Sequence, residues 1–477
     1  MTSVFHYFKE HRYFKETEKT DVAFFLLLAL SSAFLYGHIF DMPLTLMQAR
    51  DLISAIASGR FFDFYDIVME KAVANEYHLQ NLGIIEGANY NIVIYLVLAV
   101  LILPWVLVAK LFHMGLNYTW LCQYMELILF FTDLLAGYLV AQVCEAFGFK
   151  KTQAKQTAYL FLTSFLLIYS TVGFNQLDIF YIVFMLLAIR EYAEDHDIKF
   201  ALWMSVSIML KNFPLFLFIP MVLLKKKNLK QIFGYGILGS LSSVIFLLLF
   251  GRSEGYSQTK EAMDLYYHFT NRLTDAQIPG NIYPIPIFLA GYVLLCVFAY
   301  ISDGKKNFYV YVVFSGLFIY GTFFMFVYWH PQWACILALF ICMAIPVIPQ
   351  KNAMMYLETA LALGYFVITY LTWFTVPAEM FMVNGGILPL LFGKTYMGTG
   401  VAINLAKLTL NIHLYANVIL AGSITAMIAL TYHALRQNTL RLPKDDYLPL
   451  ERSLVYLRSL PLLAFNTLVV VAYIYYY

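Results

Sequence analysis

Long apolar runs separated by short polar turns dominate this chain. A helix needs roughly 20 residues to cross a hydrocarbon core of about 30 Å, and about thirteen runs approach that length. They occupy residues 22–40, 91–112, 119–144, 156–173, 176–192, 199–224, 231–251, 283–301, 307–328, 331–349, 354–375, 409–435 and 460–477. Lipid offers no water to satisfy exposed backbone groups, so the runs are expected to be helical. The predicted fold is all-α: a polytopic transmembrane helical bundle of about 13 membrane segments, residues 1–477 forming a single integral membrane domain.

Two runs are interrupted. Lys211, Asn212 and Pro214 break 199–224, and Pro104 falls inside 91–112. Proline removes a helix donor, and broken helices at membrane depth survive only where they line a cavity. Lys225, Lys226, Lys227 and Lys230, then Lys305 with Lys306, Lys351 and the Arg436–Arg458 segment fall on one side when the later spans are counted. The positive-inside rule makes that side cytoplasmic, with the N-terminus on it and 252–282 and 376–408 outside as loops long enough to roof a cavity. Thirteen plain crossings would nevertheless put Lys150, Lys151 and Lys155 outside, so 91–112 and 199–224 are candidates for incomplete crossing.

Composition narrows the function. With 61% hydrophobic and 13% charged residues, the bilayer is the solvent for most of the chain. A net charge of +2 without a basic, aromatic-lined stretch sets nucleic-acid binding aside. Cys122, Cys144, Cys296, Cys335 and Cys342 lack metal-type spacing and read as small core hydrophobes, with neither disulfide nor zinc expected. The first apolar run ends without a cleavage pattern and is expected to stay as an anchor.

The polar stretch that follows it, 41–90, is the first external loop and is expected to carry surface-lying helices. From Asp41 to Asn91 it holds seven carboxylates, Asp41, Asp51, Asp63, Asp66, Glu70, Glu76 and Glu86, against Arg50, Arg60 and Lys71. Asp41 abuts the bilayer directly; the other six read as polar faces of those helices. Within the spans, each ionisable group costs about 2.5–3.5 kcal/mol to insert and is a functional candidate by default. Glu126 and Asp133 share one helix face, Asp178 lies at a tight turn, and Lys211 sits in the broken helix. Glu126 reads as an interhelix hydrogen-bonding group. In Tyr328-Trp329-His330-Pro331-Gln332-Trp333 the indoles read as an aromatic belt, which leaves His330 unexplained.

The stretch DMPLTLMQARDLISAIASGRFFDFY, Asp41 through Tyr65, resembles the opening of the GT-C superfamily of polyprenyl-phosphate-sugar-dependent glycosyltransferases. There an acidic residue past the first helix precedes a short amphipathic helix. Asn89-Tyr90-Asn91 stands where many members have Tyr-Pro-Pro. Thr132 to Tyr138, TDLLAGY, is similar to the Asp-Leu-Leu helix of the mannosyl and glucosyl branches. Asn175-Gln176-Leu177-Asp178, Lys211-Asn212-Phe213-Pro214-Leu215 and His330-Pro331-Gln332-Trp333 resemble later motifs of bacterial members.

The resemblance implies an inverting hexosyltransferase, mannose or glucose being the expected sugar, that uses a polyprenyl-phosphate-linked donor and a glycan, lipid or protein acceptor on the external face of a bacterial plasma membrane. Asp41 would be the catalytic base. Asp133, Gln176, Asp178, Lys211, Arg272 and His330 would bind substrate, with Asp41, Gln176, Asp178 and Lys211 lining one cavity. No cofactor is expected; a divalent ion held by Asp41, Asp133 and Asp178 is the minor alternative. The rival reading is a transporter or flippase in which Asp133, Asp178 and Lys211 relay ions or grip a headgroup.

Overall fold

The computed structural model describes residues 12–35, 41–77, 87–267, 273, 274, 276–278, 285–302, 307–327, 329–371, 386–393, 412–437 and 446–476. About four-fifths of them are helical. The strand content among them is one antiparallel ribbon, β1 (Gln277–Ile278) with β2 (Ile285–Pro286), so the all-α expectation holds.

Helix α1 (Lys19–Leu35) precedes α2 (Asp41–Ala57) and α3 (Phe64–Val73), which occupy the acidic stretch. The first half of the bundle continues through α4 (Ile92–Leu111), α5 (Tyr118–Ala146), α6 (Lys151–Leu162), the short α7 (Phe165–Ile168) and α8 (Asp178–Ala193). Next come α9 (Asp197–Leu210), α10 (Phe213–Lys225), α11 (Leu229–Phe250) and α12 (Glu254–Tyr267). Beyond the ribbon lie α13 (Ile287–Ile301), α14 (Phe308–Phe326), α15 (Ala334–Ala344), α16 (Lys351–Leu371), α17 (Ile387–Phe392), α18 (Ile412–Arg436), α19 (Arg452–Leu457) and α20 (Leu460–Tyr476).

Five helices among the described residues are long and apolar enough to cross a membrane: α4, α5, α11, α14 and the Leu414–Arg436 part of α18. Others are shorter because polar residues and prolines cut the apolar runs. The expected break in 199–224 is present: α9 ends at Leu210, Lys211 is extended, and α10 restarts with Pro214 in its first turn, where a missing N–H costs no helical bond. The expected break in 91–112 is not. Pro104 sits inside a continuous α4 at an exposed position, and the backbone bond it gives up does not end the helix.

A break that the hydropathy pattern hides falls in 156–173, where α6 stops at Thr163 and α7 restarts after an extended Ser164. Side chains from the C-terminal segment and from α16 bond to Thr163 and Ser164 there. Ser459 Oγ donates to the Thr163 carbonyl at 2.7 Å, Arg458 Nη1 reaches Thr163 Oγ1 at 3.0 Å, and Ser164 Oγ donates to Glu358 Oε1 at 2.9 Å. Arg458 and Glu358 form a bidentate pair, Nε to Oε2 at 2.7 Å and Nη2 to Oε1 at 2.5 Å, with both side chains buried. Arg458, read from sequence as part of the cytoplasmic positive segment, is therefore a core residue.

The core centres on α15, every residue of which is buried. Gly316 of α14 lets the Phe340 ring lie where a Cβ would meet it at 2.2 Å. Around α15, α8 packs on α5 and α9, and α16 packs on α18. The chain ends are clasped together: Phe14 N donates to the Leu450 carbonyl at 2.8 Å, Arg452 N to the Arg12 carbonyl at 2.9 Å, and the Tyr456 hydroxyl to buried Asp21 at 2.8 Å.

Candidate functional site

Three local features present the site residues. Asp41 is the first residue of α2, where the partial positive charge of a helix N-terminus favours a carboxylate. Behind α7, residues Tyr169–Gly173 form a π-turn, a device that re-aims side chains within a helix. Asn175 then adopts the left-handed conformation (φ 48°), which asparagine tolerates better than bulkier residues, and the chain reverses into α8, with Asp178 as its first residue. Gln176 and Asp178 thus emerge from the two sides of one turn.

These elements converge. Gln176 Nε2 donates to Asp41 Oδ2 at 3.0 Å. Lys211, in the break between α9 and α10, forms a close ion pair through Nζ with Asp178 Oδ1. The lysine also feels Asp41 electrostatically, as does Asp178. Its ammonium lies 5.3 Å from the Trp333 ring centre and 5.6 Å from that of Phe213, positions that favour a cation over an aromatic face. On Trp333 packs His330, ring centres 4.8 Å apart. Deeper, Thr171 of the π-turn donates to Asp133 Oδ2 at 2.7 Å. Cys335, in the first turn of α15, is within electrostatic reach of Asp133, Asp178 and Lys211 together.

Burial sets the electrostatics. Asp41 is half-buried, and desolvation raises its pKa above the ordinary carboxylate value, opposed by the Gln176 hydrogen bond and the charge of Lys211. Asp133 and Asp178 are buried, and each has one oxygen without a partner among the described residues: Asp133 Oδ1 and Asp178 Oδ2. Asn175 Oδ1 is in the same condition. Unpartnered buried acceptors are costly, so a ligand that brings hydroxyl donors to them would relieve a real penalty. A metal ion among Asp41, Asp133 and Asp178 would compete with the ammonium of Lys211, which already supplies a cation there. Among the described residues the group close enough to share an ion is instead Glu191, Glu194 and His196, at the far end of α8, and its carboxylates are already engaged with Arg190 and Lys199.

Of the sequence-predicted residues, Asp41 is bonded to Gln176 and Asp178 to Lys211, the two pairs interact electrostatically, His330 packs on the Trp333 ring beside Lys211, and Asp133 is bonded to Thr171 of the adjoining π-turn. Arg272 lies outside the described residues. Trp333 is 5% exposed, which removes it from an aromatic belt and makes it the platform under Lys211. Thr171, Asn175 and Trp333 are participants that their side-chain types alone did not mark; the π-turn that positions Thr171 leaves no hydropathy signature. Glu126 accepts from Gln123 at 3.1 Å and from Asn175 at 3.3 Å, an interhelix contact to the same turn.

The acidic stretch needs one correction. Asp51 is not on a polar face: it is buried and accepts from Lys71 Nζ at 2.8 Å, the Tyr77 hydroxyl at 2.8 Å and Arg50 Nη2 at 3.0 Å, tying α2 to α3. Asp66 likewise binds α12, accepting from Gly255 N at 2.7 Å and Ser253 Oγ at 2.9 Å. Glu86 lies outside the described residues. Comparison of the sequence with models of known protein families and with curated proteins finds no match.

Proposed function

We propose that this chain is a membrane glycosyltransferase of the GT-C type, its remaining apolar segments completing a layout of about thirteen crossings. It would move a hexose from a polyprenyl-phosphate donor to an acceptor hydroxyl. The observation that carries this reading is the convergence of the Asp41–Gln176 and Asp178–Lys211 pairs, which sets a desolvated carboxylate within electrostatic reach of an ammonium whose hydrogen-bond partner among the described residues is Asp178. Asp41 Oδ1 or Oδ2 accepts the hydroxyl proton as the acceptor oxygen attacks the anomeric carbon. The bond from that carbon to the phosphate oxygen breaks, with inversion. Lys211 has three N–H donors, of which Asp178 takes one, leaving donors for the phosphate as its charge grows. The unpartnered oxygens of Asp133, Asn175 and Asp178 accept from sugar hydroxyls.

The test is Asp41→Asn in purified protein reconstituted into lipid. Sugar transfer falls to background, while donor binding and the unfolding transition stay as in the native chain; turnover near the native rate removes Asp41 as the base.

The second break, at Thr163–Ser164, is the observation that favours a transporter, because paired interrupted helices are a feature of carriers. Its freed groups are closed off by Arg458, Glu358 and Ser459 rather than opened onto a cavity, which weighs against that reading. Substrate movement across sealed proteoliposomes without any glycosyl transfer would favour the carrier instead.

A further inference from the structure

Two carboxylates of α5, Glu126 and Asp133, reach the same short stretch of chain. They lie two helical turns apart, about 10.5 Å along the axis. Asp133 Oδ2 accepts from Thr171, in the π-turn, at 2.7 Å. Glu126 Oε1 accepts from Asn175 Nδ2 at 3.3 Å, and the same amide nitrogen lies 3.4 Å from the Cys122 carbonyl. Cys122 and Glu126 are one turn apart on α5, so the two hydrogens of the Asn175 amide both serve that helix. The other oxygen of Glu126 accepts from Gln123 Nε2 at 3.1 Å, which steadies the carboxylate from its own helix. Glu126, Asp133, Thr171 and Asn175 are all buried.

The stretch between these anchors is locally unfavourable. A π-turn occupies Tyr169–Gly173, and Asn175 has φ 48°, a conformation that L-residues adopt at a cost. Irregular backbone of this kind persists where its surroundings over-determine it. Here those surroundings include the side chains of α5. The backbone passes the restraint on: Gln176 N donates to the Thr171 carbonyl at 3.0 Å and Asn175 N to the Val172 carbonyl at 3.3 Å. Gln176 therefore follows directly on anchored residues, and it bonds Asp41, while Asp178 two residues later pairs with Lys211.

We propose that Glu126 is a positioning residue: acting through Asn175, it fixes the turn that sets Gln176 against Asp41 and Asp178 against Lys211. A contact that served packing alone could be replaced by a well-fitting apolar residue with no effect on Asp41, whereas a positioning contact could not. The proposal rests on the glycosyltransferase reading only for the reaction that the turn serves. The placement of Gln176 against Asp41 is measurable without substrate.

The experiment is a double-mutant cycle on the full chain purified in detergent, with Asp41→Ala and Gln176→Leu as the two substitutions and the unfolding transition as the readout. In the native background the two are coupled through their hydrogen bond. Glu126→Leu abolishes that coupling, whereas Glu126→Gln, whose Oε1 still accepts from Asn175, retains most of it. Asn175→Gly keeps the left-handed backbone without strain and removes the anchoring amide; it too abolishes the coupling, and it decides the matter should Glu126→Leu not fold. In a transfer assay, Glu126→Leu lowers turnover by up to about 10²-fold. It also moves the acid limb to higher pH, the direction expected of Gln176→Leu, because Asp41 loses the hydrogen bond that lowers its pKa. The charged groups that act on Asp41, Lys211 and Asp178, carry no substitution in any of these variants. Coupling that persists in Glu126→Leu or in Asn175→Gly overturns the proposal, as does its absence from the native chain. A native chain that transfers no sugar overturns the glycosyltransferase reading instead, and the unfolding cycle still decides the role of Glu126.

Discussion

Replacing Lys211 with methionine separates its contact with Asp178 from the role proposed for it, that of a cation for a substrate phosphate. The aliphatic stem is largely kept and the charge removed. The Asp178 side chain is 4% exposed and its Oδ2 has no partner among the described residues, so losing the ammonium strands a carboxylate with neither oxygen bonded. Removing one member of a fully buried pair costs about 3–5 kcal/mol; because Lys211 is 20% exposed, solvent screening brings the expected loss to about 2–4 kcal/mol. Adding Asp178→Asn removes the stranded charge, and the double variant is expected within about 1 kcal/mol of the native chain. The proposed glycosyl transfer is expected to follow a different course. With no cation to meet the departing phosphate, both variants lose about 10²- to 10³-fold in turnover. Denaturant-induced unfolding of the purified protein and sugar transfer in proteoliposomes measure the two quantities separately. A double variant that regains turnover together with stability would show that Lys211 serves Asp178 alone, and the phosphate role would be refuted.

With Asp41 as the proposed base, the pH dependence of transfer should show an acid limb whose apparent pKa lies above the ordinary carboxylate value, because desolvation penalises the charged form. Gln176→Leu removes a hydrogen bond that lowers this pKa, so the limb moves to higher pH; an unmoved limb would disconnect Gln176 from Asp41. The linkage runs in the same direction. With its folded pKa raised, Asp41 contributes stability that is fully present below the ordinary carboxylate value and lost as pH rises through the raised one, so Asp41→Asn should unfold no more easily than the native chain at neutral pH. At the second helix break, Glu358→Gln leaves Arg458 charged and buried and is expected to cost about 3–5 kcal/mol. Combining it with Arg458→Met should recover most of that loss, and an uncooperative double-mutant cycle would contradict the pairing.

Much of this protein is legible in one dimension because its signals are local. A run of apolar residues is helical in lipid whatever surrounds it, so the all-α class and the apolar helices follow from hydropathy. Lys211-Asn212-Phe213-Pro214 ends one helix and starts the next through proline's missing N–H and the residues beside it. Local reasoning failed where the outcome depended on which way a residue faced. Pro104 lies at an exposed position and α4 stays whole, whereas Thr163–Ser164 carries no proline or charge and breaks.

Partner choice for the polar residues is the part that only the tertiary structure decided. Asp41 and Gln176 are 135 residues apart, Asp178 and Lys211 are 33 apart, and Arg458 and Glu358 are 100 apart. Hydropathy marks each as expensive to bury without saying what compensates it. Asp41 and Asp51 look equivalent in sequence, two carboxylates ten residues apart, yet Asp51 is consumed by Arg50, Lys71 and Tyr77 while Asp41 is held by Gln176 beside an ammonium. The sequence by itself determined that charged groups had to be matched inside a hydrophobic bundle, because an unmatched one costs several kcal/mol. Packing decided which pairs close off a helix break and which remain together as a site.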